Sequence, residues 1–281
     1  MVLLIHFVIF MLFIRVCNGI RCIDEIQLQF SSSELHLTKI ETIFNSLKRS
    51  NNAMCQVYME WDSITQKFMI KFGQSMTLPH LRSVENVYVH IYTSIISVNA
   101  EKKINQTSIK TIVHLVCYSN DKCDDQFVVE YFNRLIQTNY KNLESTIRPL
   151  ILVQGDKKNE CTIGNGDDIK PCYHNSCSWY YSMDTKSAES KCENIDLQVL
   201  PLLNLTTEIR MFVKHKEQEE SEETKSIRAI FKHHSSIKFW CELNNCNNQK
   251  VGKLVKEAVS KQYDLWTMNR AYKTDRKRII R

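Results

Sequence analysis

Glycine is scarce in this chain, with 6 in 281 residues. That leaves little material for the backbone loops that cradle phosphates. No GxSxG, HExxH, P-loop or dinucleotide-binding fingerprint occurs, so motif-borne hydrolase, metalloprotease and nucleotide chemistries have no foothold. There is no CxxC pair, and zinc is not expected. After the first residues no second long apolar run follows, so no stop-transfer segment is expected. The C-terminus is basic rather than apolar, and a lipid-anchor signal is missing as well. Gly164-Asn165-Gly166-Asp167-Asp168 lacks the alternating oxygens and distal Glu of a calcium loop and reads as a polar turn.

What is present begins at the amino end. Val2 to Ile14 is apolar except for His6, and Cys17-Asn18-Gly19 follows Arg15. The run is short for a span, which takes ~20 residues. It fits a signal peptide cut after Gly19, with small Cys17 and Gly19 before the cut. A signal anchor or a buried helix are the other readings. Of 11 cysteines, Cys17 leaves with the signal. The even set that remains, Cys22, Cys55, Cys117, Cys123, Cys161, Cys172, Cys177, Cys192, Cys241 and Cys246, reads as the disulfide framework of a secreted protein. Asn105-Gln106-Thr107 and Asn204-Leu205-Thr206 are glycosylation sequons.

The central feature is an internal resemblance. Val113 to Tyr140 and Ile237 to Tyr263 share one pattern when Cys123 is set on Cys246. Gln126 then meets Gln249, Val128 meets Val251, and Tyr140 meets Tyr263. Each copy has an alternating strand ending in a cysteine, Ile109 to Cys117 or Ile237 to Cys241. Each then has a short polar loop closed by a second cysteine. Asp124-Asp125 or Asn247-Asn248 follow as helix caps, with apolar residues at helical spacing after them. Pairing Cys117–Cys123 and Cys241–Cys246 would fix the angle between strand and helix. The competing reading joins Cys117 or Cys241 to distant cysteines across a sheet. Cys22–Cys55 is confined to the first half. Cys161, Cys172, Cys177 and Cys192 allow three connectivities, of which Cys161–Cys177 with Cys172–Cys192 is favoured.

Upstream of each unit lies a hairpin: Val87 to Val98 with Ser108 to Cys117, and Thr207 to Lys214 with Ser226 to Cys241. Their tips hold Asn105 and the glutamate-rich run Lys216 to Lys225. Cys55 to Trp61 with Lys67 to Gly73 reads as another hairpin, and Ser178 to Tyr181 holds a comparable place. Glu34 to Leu47 reads as an amphipathic helix without a partner in the second half. The expected fold is therefore α+β, with two related disulfide-stapled halves, antiparallel strands each followed by a helix. The expected divisions are a signal peptide (1–19), a first repeat domain (20–154), a second (155–270) and a basic tail (271–281).

Cys241-Glu242-Leu243-Asn244-Asn245-Cys246-Asn247 resembles the end of the three-finger domains of the lymphocyte-antigen and urokinase-receptor family. Those domains close with two cysteines four residues apart, the second followed by Asn. The resemblance covers at most Cys161 to Asn247. Trp240 stands where the family has an adjacent cysteine. What it implies is a receptor-like or ligand-binding module without catalysis.

Functional residues are few. His90 and His114 fall in strand patterns, His174 lies in a cysteine loop, and Trp61, Trp179, Trp240 and Trp266 suit cores or cystine packing. No catalytic, cofactor-binding or metal residue is assigned, and no cofactor is expected. The expected function is secreted recognition of an extracellular protein or glycan, without catalysis. A secreted hydrolase of unrecognised class is the alternative, as is a binder of glycans or membrane surfaces through the basic tail. With a formal charge of +6 and no aromatic-basic motif, nucleic acid is not an expected partner. No membrane-spanning segment is expected after signal removal.

Overall fold

The computed structural model describes residues 20–31, 34, 36–73, 85–98, 106–117, 121–151, 160–165, 168–172, 175–194, 199–214, 228–241 and 245–263. The proposed signal peptide, Asn105, His174, the glutamate run, Trp266 and the basic tail lie outside these residues.

Thirteen strands occur in chain order among the described residues: β1 (Ile20–Ile23), β2 (Ile26–Ser31), β3 (Arg49–Asn52), β4 (Cys55–Asp62), β5 (Lys67–Phe72), β6 (Glu85–Val98), β7 (Gln106–Cys117), β8 (Glu160–Thr162), β9 (Ile169–Pro171), β10 (Asn175–Ser182), β11 (Ser187–Asn194), β12 (Val199–Lys214) and β13 (Arg228–Cys241). Four helices accompany them: α1 (Leu37–Ser46), α2 (Cys123–Gln137), α3 (Lys141–Ile151) and α4 (Gln249–Gln262). Nine strands form one antiparallel sheet in the order β11-β10-β13-β12-β6-β7-β4-β5-β2. Two small sheets, β1-β3 and β8-β9, stand beside it. Read outward from the central β6–β12 pair, each side runs long hairpin, then short hairpin.

Alternation decides the two faces. Val57, Met59 and Trp61 of β4 stand in register with Leu115, Val113 and Thr111 of β7. Directly opposed residues share a face, and these are buried. The helices lie on this side. Phe132 of α2 meets Phe68 edge-on at 5.1 Å, and Phe44 of α1 meets Phe72 at 5.3 Å. Gly252 lets α4 lie flush on Trp179, since a Cβ there would sit 2.3 Å from the indole. Tyr140 and Tyr263 meet at 5.1 Å between ring centres, and the Tyr263 hydroxyl reaches Thr93 Oγ1 at 2.9 Å.

The five disulfides are Cys22–Cys55, Cys117–Cys123, Cys161–Cys177, Cys172–Cys192 and Cys241–Cys246. Four of them build two corners. Cys55 stands opposite Cys117, and Cys177 opposite Cys241, so each strand pair ends in two adjacent cystines. The turn into the helix uses a left-handed residue in both corners, Lys122 (φ 62°) and Asn245 (φ 52°). Lys122 N–H donates to Arg21 O and Asn245 N–H to Glu160 O, both at 2.9 Å. One residue later the cysteine bonds, and the next side chain clamps the neighbouring strand. Ile23 N–H donates to Asp124 Oδ2 at 2.8 Å; Thr162 N–H donates to Asn247 Oδ1 at 2.9 Å.

One cap is as expected and the other is not. Asn248 is the N-cap of α4, accepting from Val251 N–H at 3.0 Å. Helix α2 starts a residue earlier, at Cys123 with Lys122 as N-cap, so Asp124 and Asp125 lie in its first turn. Asp124 is instead used across the fold, on Ile23, and Asp125 pairs with Arg49 of β3. Two acids in the first turn still suit the helix dipole.

Candidate functional site

The residues that alternate with the helix-facing set lie on the other face, where Tyr88, Ser94, His114, Val116 and Trp240 are themselves buried. On this open face the antiparallel registers assemble rows from non-consecutive strands. One row runs Lys71, Tyr58, His114, His90. The next runs Met69, Glu60, Ile112, Tyr92, Thr206, Ser236, Ser182. The third runs Asp62, Lys110, Ser94, Asn204, Lys238, Tyr180.

Charges on this face are held in fixed groups. Lys110 Nζ lies 2.8 Å from Glu60 Oε1, and the Tyr58 hydroxyl donates to Glu60 Oε2 at 2.7 Å. Burial, then the bond to Glu60, pushes the Tyr58 phenol well up from its ordinary range. The bond to Glu60 raises the Lys110 ammonium. Towards the other edge, Lys238 Nζ contacts Glu193 Oε1 at 2.9 Å and lies 4.6 Å over the Trp240 ring. Trp240 Nε1 donates to Glu193 Oε2 at 2.8 Å. Burial acts to raise the Glu193 carboxyl, but the bonds from Lys238 and Trp240 outweigh it and the net shift is downward. Tyr180 is exposed beside this group, and Lys110 and Lys238 are partly exposed.

Comparison with protein-family models, curated proteins and solved structures finds no match. The surface must speak for itself.

His114 is buried, and burial followed by the nearby His90 lowers its imidazole to about 4. His90 stacks on Tyr88 with ring centres 6.4 Å apart. His234 Nδ1 meets Asp184 Oδ2 at 3.1 Å, on an exposed edge. Three clusters of potential metal ligands occur among the described residues: Cys55, Cys117, Cys123; Cys161, Cys172, Cys192; and Cys22, Cys55, Asp124. Their sulfurs are tied in cystines and offer no thiolate. A cavity of about 530 Å³ opens beside Cys22–Cys55, with Asp24, Glu25, Asn52, Met54 and Gln56 in its wall.

Trp61, Trp179 and Trp240 are all buried, Trp61 and Trp179 on the helix side and Trp240 on the open side. Asn204 lies in the middle of the sheet on the open face, half-buried, opposite Ser94 and Lys238. Sequence reasoning did not single out Glu60, Lys110, Tyr180, Glu193 or Lys238. Alternation marks each as facing away from a core, but only the pairing of distant strands puts them on one surface. No helix among the described residues is long and apolar enough to cross a membrane.

Proposed function

We propose that this chain is a secreted, non-catalytic recognition protein whose open sheet face contacts an extracellular protein. The observation that carries the reading is that face itself. It is broad and opposite the helices, and its ion pairs and aromatic rings are held in fixed rows by antiparallel register. Such pre-ordered side chains lose little freedom on binding. Five cystines suit an extracytoplasmic setting, where disulfides form and persist.

The same proposal includes two related halves, residues 20–154 and 155–270, after a cleaved leader. What supports it is the agreement of details that folding does not require to agree. These are the adjacent cystines, the left-handed turn residue, the two backbone bonds and the clamping side chain in each corner. The likeness of Cys241 to Asn247 to the closing motif of three-finger domains enters here as a likeness of this local device. Within the proposal Asn105 carries a glycan and Asn204 is bare, because a sugar at Asn204 would cover the centre of the contact surface. Glycopeptide mass spectrometry checks both sites.

The test is to probe the full secreted chain on an array of purified extracellular proteins and glycans, beside a panel of ester, peptide and glycoside substrates. Saturable capture by a protein without turnover is the expected result. Turnover that tracks the purified chain, with no captured ligand, would overturn it.

A further inference from the structure

The nine-stranded sheet ends in β11 on one side and β2 on the other, and the two edges differ in kind. Strand β11 is blunted. It carries Glu189, Lys191 and Glu193, and Gly164 lies against its outer side. Gly164 N–H donates to Ser190 O at 2.8 Å, and Ser190 N–H to Gly164 O at 2.9 Å. Charges and covering loops are the devices that keep an edge from pairing with another chain. Strand β2, Ile26-Gln27-Leu28-Gln29-Phe30-Ser31, has neither charge nor proline, and its ladder with β5 runs without a bulge. Among the described residues no strand lies beyond it.

The hydrogen-bond phase fixes what this edge presents. Gly73 N–H, at the end of β5, donates to Gln56 O of β4. Backbone groups alternate in direction along a strand, so Phe68, Ile70 and Phe72 bond towards β2. Their partners there are Phe30, Leu28 and Ile26. The N–H and C=O groups of Gln27 and Gln29 therefore point out of the sheet. Ser31 N–H, on the same side, is taken by Glu34 Oε2 at 3.0 Å.

This strand is complementary to itself. A two-fold axis through Leu28, perpendicular to the sheet, sets Leu28 on Leu28, Ile26 on Phe30 and Gln27 on Gln29. Apolar residues then meet on the helix side and glutamines on the open side, whereas a shift of one residue would set leucine on glutamine. Gln27 N–H donates to Gln29 O across the axis and Gln29 N–H to Gln27 O, each made twice by symmetry. An axis through Gln29 would instead set Gln27 on Ser31, whose N–H is already engaged. Half-buried Ile26 and Leu28 gain cover in the Leu28 register.

We propose that this chain forms a two-fold dimer by pairing β2 with the β2 of a second copy, so that the sheet continues across the interface. The inference goes beyond the recognition reading, and either can fail without the other.

The experiment is sedimentation equilibrium of the full, oxidised chain over a dilution series, with amide hydrogen exchange measured at both ends of the series. Expected is a reversible monomer–dimer equilibrium in which the Gln27 and Gln29 amides exchange more slowly at high concentration. Gln27→Lys/Gln29→Lys sets like charges against each other across the axis and should weaken the dimer at least tenfold. Gln29→Pro should do the same by removing an outward N–H, a position where an edge strand tolerates proline. Both glutamines are exposed, so the lysine variant remains informative if Gln29→Pro fails to fold. Glu189→Lys/Lys191→Glu on β11 should leave the equilibrium unchanged. A monomer at every concentration, a dimer indifferent to the lysine variant, or concentration-dependent protection confined to residues outside β2 would each overturn the interface.

Discussion

Replacing Asn247 by Ala removes one side chain that ties three strands together. Its Oδ1 accepts from Thr162 N–H at 2.9 Å. Its Nδ2 donates to Thr162 O and Ser178 O, both at 2.9 Å, and to Lys191 O at 3.3 Å. Asn247 is fully buried, as is Thr162. Each buried group left unpaired costs about 1–3 kcal/mol. The losses share one cavity that water can enter, so they sum to less than their parts, and we expect about 3–5 kcal/mol. With a urea slope near ~3 kcal/mol/M for a chain of this size, the unfolding midpoint falls by roughly 1–1.5 M. The assay is urea unfolding of the oxidised protein, followed by tryptophan fluorescence. Asn247→Asp should be at least as damaging, because it turns a carboxylate towards the carbonyls of Thr162 and Ser178. Asp124→Asn should cost about 1 kcal/mol, since Asp124 only accepts, from Ile23 N–H and Asp125 N–H. A stable Asn247→Asp, or an Asn247→Ala midpoint at the wild-type value, would refute the clamp.

Gly252→Ala should destabilise by about 1–3 kcal/mol or more, because its Cβ would meet the Trp179 indole at 2.3 Å; thermal unfolding measures it. Burial of His114, with His90 beside it, lowers its pKa from 6.5 to about 4. The unfolded chain therefore takes up a proton that the folded chain refuses. The associated stability is complete above about pH 6.5 and falls by up to roughly 3 kcal/mol as pH drops to 4, whereas His114→Gln flattens that limb of a pH–stability profile. Burial raises the Asp124 carboxyl, so the folded form holds its proton longer; this group's share of stability falls as pH rises through the raised pKa, and Asp124→Asn should remove that dependence.

The parts of the fold that local pattern encodes were readable. Period-two alternation marks β6 and β7, and helical spacing marks α2 and α4, because each element buries one face. Helix α3 was missed although Leu143, Ile147 and Ile151 recur at intervals of four and are buried. Pro149 inside its last turn reads as a break, yet it removes only one late bond. Asp124 was misplaced because a buried acid beside a helix start looks like a cap, and its true partner, Ile23, lies 101 residues away. The central β6–β12 pair and the edge strand β2 are likewise long-range choices. The open face inherits this difficulty. Glu60 and Lys110 are 50 residues apart, and Glu193 and Lys238 are 45 apart.

The most direct measurement sets the two sides of the molecule against each other. Once the array supplies a ligand, its affinity is measured for Lys110→Glu/Lys238→Glu on the open face and for Lys250→Glu/Lys253→Glu on the exposed side of α4. Recognition through the sheet predicts at least a tenfold loss in the first pair and none in the second. Loss confined to the α4 pair would contradict it.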